Sequence, residues 1–220
     1  MIAHVDAVLR CAAPFELQRT ESAARERVPW REILAVVVAC GLVHGAAIGS
    51  FGLRAEQALY SALKLPMLLA LSTAFCLPNF YAVNTALGLR DEFAAALRGV
   101  LATQATVAAM LTACSPLVLF WYVSSDNYRA AVFANGLAFL VASLAGQVTL
   151  SRHYAPLVAR NPRHRIARSA WLALYVFVTI QLAWVLRPFI GDPGMHATFL
   201  RPHAWSNAYV ALFDAYLRIH

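Results

Sequence analysis

The chain has 220 residues, of which 60% are hydrophobic and only 13% are charged, and its mean hydropathy is +0.59. An ordinary soluble domain carries about 25% charged residues, so a water-soluble fold is disfavoured. The formal net charge is +7. The positions of the basic residues, rather than the net charge, decide which kind of partner they bind.

Five long runs of the sequence contain no Asp, Glu, Lys or Arg. A helix needs about 20 apolar residues to cross a hydrocarbon core of roughly 30 Å, and each run is close to or above that length. We therefore predict an all-α transmembrane bundle with five spans, at residues 33–53, 59–83, 99–123, 130–151 and 169–187. Together with tails at 1–31 and 188–220, the spans form one integral membrane domain over residues 1–220.

Basic residues are unevenly distributed between the two sides of the predicted bundle. The N-terminal tail and the connections after the second and fourth spans together carry 12 Lys and Arg, whereas the other side carries six. Because the side richer in Lys and Arg is cytoplasmic, we predict that the N-terminus lies inside and the C-terminus outside. The basic connection at 152–168 is then expected to meet anionic lipid headgroups and not nucleic acid.

Two spans carry small residues at intervals of four. Gly41, Gly45 and Gly49 in the first span form what we call the glycine ridge. The fourth span has a similar row, the small stripe, made of Ala134, Ala138, Ala142 and Gly146. This spacing places small residues on one helix face, where a second helix can approach closely. Either surface can pack within the chain, against another membrane protein or against a second copy.

Polar side chains inside the spans allow two interpretations. They can line one polar path or recess, with Pro66 and Pro78 breaking the second helix to form a gate. Alternatively, they form separate interhelical hydrogen bonds, and the histidine is neutral and bonded to a neighbouring helix. The candidate residues are His44, Asn79, Asn84, Gln104, Asn135 and Gln181, and Gln147 has the same ambiguity.

Charged residues are also expected to cluster at the outer ends of the second and fifth spans. Lys64 can extend outward along its four-carbon stem. Arg187 is predicted to pair with Glu56, Asp126 or Asp192, or with loop carbonyls. These contacts would hold the segment after the fifth span against the bundle.

A short amphipathic helix is predicted close to the C-terminus. Ser206 or Asn207 can cap its first turn. Apolar residues then recur with helical spacing at Tyr209, Leu212, Phe213 and Tyr216. We expect this helix to lie on the outer membrane surface.

Catalytic chemistry finds little support in the sequence. The spans contain no carboxylate, and the motifs for phosphate loops, nucleophile elbows and zinc proteolysis are missing. The cysteines form no C-x-x-C pair. We therefore expect no enzyme, no cofactor and no metal site.

Two strings of the sequence are specific enough to suggest kinship: KLPMLLALSTAFCLPNFYAVNTALG at 64–88 and QLAWVLRPFIGDP at 181–193. They resemble an uncharacterised family of bacterial multi-pass membrane proteins, over most of residues 60–213. The resemblance implies a bacterial inner-membrane protein without a known activity. The five-pass layout is also similar to that of the Yip family of membrane-trafficking adaptors.

Two functions fit these observations. The first is a non-enzymatic membrane subunit or scaffold that binds other membrane proteins, or copies of itself, through the glycine ridge, the basic connection and the C-terminal helix. The second is a small oligomeric channel, pore or permease for ions or small solutes. They differ in whether the polar side chains converge on one aqueous cavity.

Overall fold

The computed structural model describes residues 30–191, 194, 196–201 and 207–211. This part of the chain contains no strand and five long helices: α1 (Trp30–Gly49), α2 (Ala55–Ala86), α3 (Phe93–Ser124), α4 (Tyr128–Arg160) and α5 (Arg163–Leu186). All five are long and apolar enough to cross a membrane, which confirms, for the described residues, the predicted helical fold and the predicted number of helices of spanning length. Most of the predicted N-terminal tail lies outside the described residues.

The helix boundaries differ from the predicted spans in an informative way. α4 continues to Arg160 and α5 begins at Arg163, so most of the predicted loop at 152–168 is helical. A charge-free run marks the part of a helix that lipid surrounds, whereas arginine is a good helix former and continues the helix beyond it. α1 instead ends early, at Gly49, and Gly52 in the following turn has a φ of 70° that glycine adopts without strain.

Successive helices run in alternating directions and are joined by short turns. The turns at residues 50–54 and 125–127 lie at one end of the bundle, which we call the 50–54 end. The turns at residues 87–92 and 161–162 lie at the other, the 87–92 end.

Packing leaves three helices widely accessible. α1 packs against both α2 and α3, α3 packs along α4, and α5 packs mainly against α2. The membrane-crossing stretch is 56% buried in α2 but only 28% buried in α3 and in α4 and 17% in α5. α3, α4 and α5 therefore present most of the surface that lipid or a partner helix can cover.

The chain reverses direction after α5. The backbone N–H of Ala208 donates to Gln181 Oε1 (2.9 Å), and the Tyr209 ring stacks on Phe177 with 4.6 Å between ring centroids. Phe177 lies roughly 14 Å before the end of α5 at 1.5 Å per residue. The helical turn at 208–211 thus lies along the side of α5 and not across the 50–54 end. The predicted helix residues Leu212, Phe213 and Tyr216, and the candidate cap Ser206, lie outside the described residues.

Candidate functional site

The glycine ridge is covered by α2 of the same chain. A methyl group added to Gly45 would overlap the carbonyl oxygen of Ser61, and one added to Gly49 would lie 2.5 Å from the carbonyl oxygen of Gln57. Gly41 also lies against α2. The absence of side chains thus lets α1 and α2 approach closely, and the ridge is not available to a second protein.

The small stripe of α4 packs within the chain as well. Ala138, Ala142 and Gly146 are buried, and Ala134 is partly buried. A methyl group at Gly146 would lie 2.6 Å from a Val107 methyl carbon on α3. The stripe therefore sets the approach of α3 and α4.

His44 is fully buried and reaches across to α3. Its Nδ1 lies 2.8 Å from the Ser115 hydroxyl oxygen, and its ring packs edge-on against Phe139 of α4. This geometry matches the interpretation of His44 as a hydrogen-bonded histidine between helices. Among the described residues, no group of three or more His, Cys, Asp or Glu is arranged to hold a metal ion.

The other predicted polar residues lie in separate places. Four of the amides have partners of their own: Tyr175 OH donates to Gln104 Oε1 (2.9 Å), Asn135 Nδ2 donates to Tyr122 OH (2.6 Å), Asn84 Nδ2 donates to the Phe80 carbonyl (2.8 Å), and Gln181 Oε1 accepts from Ala208 N–H (2.9 Å). Asn79 is exposed on α2. α2 itself is one helix that contains both Pro66 and Pro78. The structure thus brings these side chains into local contacts and not onto one path.

At the 50–54 end, three side chains of α2 hold the segment that follows α5. We call Gln57, Ser61 and Lys64 the α2 polar cluster. Lys64 is fully buried, and its Nζ donates to the Pro188 carbonyl (2.7 Å). Gln57 Nε2 (3.1 Å) and the Ser61 hydroxyl both donate to the Phe189 carbonyl. Lys64 therefore binds carbonyls of the segment after α5.

Arg187 packs on an aromatic ring of α5. Its guanidinium lies 3.4 Å from the centre of the Trp184 ring. Among the described residues it forms no ion pair with Glu56 or Asp126. Asp192 lies outside the described residues, so the pairing of Arg187 with Asp192 stays a prediction.

A cavity of about 600 Å³ lies beside Arg187. It is bounded by α2, α4 and the segment after α5, and we call it the arginine cavity. Its polar lining consists of Gln57, Tyr128, Arg187, His196, Thr198 and Arg201. The sequence pattern does not single out these residues as one ligand-binding site, because they come from three separate parts of the chain and meet only through the fold.

Gln147 was a candidate polar residue in the sequence, but the exposed surface to which it belongs was not predicted. Gly136, Leu140, Ser143 and Gln147 are all exposed on α4, and we call this row the α4 seam. A Cβ at Gly136 would meet nothing within 4 Å. Within the described part of the chain, the Gln147 and Ser143 side chains make no hydrogen bond. The spacing of four, three and four residues could have predicted the α4 seam, because positions that pair two helices recur at these intervals.

At the 87–92 end, two contacts connect α5 to the turn before α3. His164 Nε2 and Glu92 Oε2 form a hydrogen-bonded pair in which the histidine is fully buried. Arg163 Nη1 donates to the Leu87 carbonyl (3.2 Å). The first turn of α5 is therefore anchored by polar contacts.

No protein family, curated protein or solved structure matches this chain. The resemblance of its two strings to a family of bacterial membrane proteins therefore stays a prediction.

Proposed function

We propose that the chain is a non-enzymatic membrane subunit or scaffold that binds a transmembrane helix of another membrane protein, or of a second copy, along the α4 seam. The observation that carries this proposal is the exposed amide of Gln147, which has no hydrogen-bond partner within the described residues. The glycine ridge no longer serves as the docking surface, because α2 covers it.

The depth of Gln147 makes its exposure costly. Gln147 lies within the charge-free run of α4, four residues before its end at Ser151, which is about 6 Å at 1.5 Å per residue. The neighbouring Gly146 packs against Thr103 and Val107 in the middle of α3. The amide is thus placed in the lipid-facing part of α4, toward the 87–92 end, where hydrocarbon tails supply neither donors nor acceptors. An interhelical hydrogen bond from a partner helix would stabilise association by about 0.6–2 kcal/mol.

The remainder of the α4 seam has the shape that a partner helix needs. Gly136 and Ser143 are small, so a second helix can approach at two levels. Leu140 lies between them and is 54% exposed. Positions that recur after four, three and four residues remain in contact along a left-handed helix pair.

The second function, a small channel or permease, has weaker support within one chain. Its six predicted lining residues lie in separate contacts, and none of them lines the arginine cavity. A path between several copies would require polar residues on an exposed face, where α4 between residues 130 and 150 offers only Ser143 and Gln147.

The proposed setting is the bacterial inner membrane, with the N-terminus inside. The unequal count of basic residues on the two sides supports this orientation, because Lys and Arg accumulate on the cytoplasmic side. The helical ends at 152–168 would then face the cytoplasm and bind anionic lipid headgroups.

Photocrosslinking in intact membranes tests the proposal. A photoreactive phenylalanine analogue placed at Leu140 should yield discrete protein adducts heavier than the 24.1 kDa chain. The same analogue at Leu117 of α3, which is 71% exposed, is the matched control and should yield lipid adducts only. The adduct mass distinguishes a second copy from another protein.

A substitution tests whether the amide itself contributes. Gln147→Leu should lower the adduct yield from Leu140 roughly threefold to thirtyfold, the loss expected for one interhelical hydrogen bond. Asn79→Leu removes another exposed amide, on α2, and should leave the yield unchanged. If Leu140 gives no protein adduct, or gives no more than Leu117, the proposal is wrong.

A further inference from the structure

The arginine cavity brings two guanidinium groups together on one aromatic ring. The Arg187 guanidinium carbon lies 3.4 Å from the centre of the Trp184 ring, and that of Arg201 lies 4.5 Å from the same centre. The negative π-surface of an indole attracts such cations. Burial lowers the pKa of Arg187, and the charge of Arg201 lowers it further. Two like charges thus lie beside one ring on partly buried side chains.

The described residues supply no anion to balance Arg187. Its Nε–H is buried and donates to no partner within this part of the chain. Glu56 and Asp126 are the described carboxylates at the 50–54 end, and neither pairs with it. A planar guanidinium with free N–H groups is suited to bind two oxygens of a phosphate or carboxylate at once.

The cavity has the size of a ligand site and a lining of both polar and apolar groups. Its volume of about 600 Å³ is in the range of small-molecule sites. Tyr128 and His196 add polar groups to the lining, whereas Val132 and Phe189 add apolar ones. Val132 is 45% exposed on α4, so the cavity adjoins the surface that lipid tails cover.

We propose that the arginine cavity binds a phosphate-type oxyanion, with Arg187 and Arg201 as its ligands. The lipid-facing rim favours the phosphate of a membrane phospholipid, whose tails would lie along α4 beside Val132. Free phosphate has the same chemistry and would bind to the same two arginines. The arginine cavity is independent of the α4 seam, since binding of an oxyanion in the cavity requires neither Ser143 nor Gln147.

Binding to the full chain, purified in an uncharged detergent and stripped of lipid, tests the proposal. Three probes distinguish a phospholipid from free phosphate as the ligand: phosphatidylglycerol, diacylglycerol with the same tails but no phosphate, and inorganic phosphate. Retention of the two lipids is measured by native mass spectrometry, and binding of phosphate by titration calorimetry. We expect saturable binding of phosphatidylglycerol and at least tenfold weaker binding of diacylglycerol.

Variants then locate the site. Arg187→Gln and Arg201→Gln should each weaken binding about tenfold or more, the loss expected for a charge-assisted hydrogen bond. Arg129→Gln removes an exposed arginine at the same end of the bundle but outside the cavity lining, and should have no effect. Binding of inorganic phosphate alone, with the same response to the variants, would assign the site to the free ion.

Two results would overturn the proposal. One is that the wild-type chain binds neither phosphatidylglycerol nor inorganic phosphate. This result does not depend on whether any variant folds. The other is that Arg129→Gln weakens binding as much as Arg187→Gln, because the attraction would then belong to the general charge of this end of the bundle.

Discussion

Glycines of this chain have opposite roles that depend on what lies beside them. Gly45 and Gly49 lie against the backbone of α2, where no side chain has room. Gly136 faces open space, where a Cβ would meet nothing within 4 Å. All three lie in helices, so the cost of adding a methyl group is set by contact and not by local conformation.

We therefore expect Gly45→Ala to destabilise the fold by about 1–3 kcal/mol, because the methyl group forces α1 and α2 apart. Gly136→Ala is the matched control and should be neutral or stabilising by up to about 1 kcal/mol, since alanine is the better helix former. The measurement is the free energy of unfolding in mixed micelles with increasing sodium dodecyl sulfate. Equal effects of the two variants would contradict the close approach of α1 and α2.

Lys64 and Arg187 show how two cations at the same end can act differently. The Lys64 ammonium binds the Pro188 carbonyl, whereas the Arg187 guanidinium lies on Trp184. The ammonium is fully buried, so its hydrogen bond to the carbonyl is made without competition from water. The segment after α5 should therefore depend on Lys64 more than on Arg187.

Lys64→Met keeps the length of the side chain and removes its charge and its donors. Hydrogen exchange of backbone amides at 196–201 should accelerate roughly tenfold or more, which corresponds to a lost hydrogen bond to a charged group. Arg187→Gln should change these rates much less. Mass spectrometry of the labelled peptides compares the two variants. If Arg187→Gln accelerates exchange at 196–201 more than Lys64→Met does, Arg187 and not Lys64 holds this segment.

At the scale of elements, α4 shows how one helix can serve two surfaces. Gly146 is buried against α3, and the next residue, Gln147, is exposed, because consecutive residues of a helix point about 100° apart. The sequence predicted the small stripe on this helix. It did not predict the α4 seam, because both rows contain small residues and neither pattern states which face the other helices cover.

The start of α4 has a defined cap. Asn127 Oδ1 accepts a hydrogen bond from the backbone N–H of Ala130 (3.2 Å). Asn127→Ala should lower the free energy of unfolding by about 0.5–2 kcal/mol, the usual value of a lost N-cap. Asp126→Ala alters the same turn without removing a cap bond and should change it by less than about 0.5 kcal/mol. Similar losses in both variants would show that the turn, and not the cap, is responsible.

At the scale of the whole molecule, the alternating helices place each turn at one of two ends. Asp91 lies in the turn at 87–92, and Asp126 lies at the 50–54 end. If the N-terminus lies inside, the first of these ends faces the cytoplasm. The charge count that predicts this orientation is a property of the complete bundle and not of any single span.

Cysteine labelling tests this orientation, with the native cysteines replaced by alanine. In intact cells, Asp126→Cys should react with a membrane-impermeant thiol reagent, and Asp91→Cys should react only after the membrane is permeabilised. Both residues are exposed, so the substitutions are matched. The opposite labelling pattern would invert the proposed topology.

The sequence by itself determined the number, order and approximate length of the spans. Crossing a bilayer depends on the apolar length of one segment, and that length can be counted along the chain. The tertiary structure alone decided that α2 covers the glycine ridge, that Lys64 binds the Pro188 carbonyl, that Arg187 and Arg201 share Trp184, and that Gln147 is exposed. Contacts between helices depend on how far each helix is rotated and shifted relative to its neighbours, and the pattern within one helix does not specify either quantity.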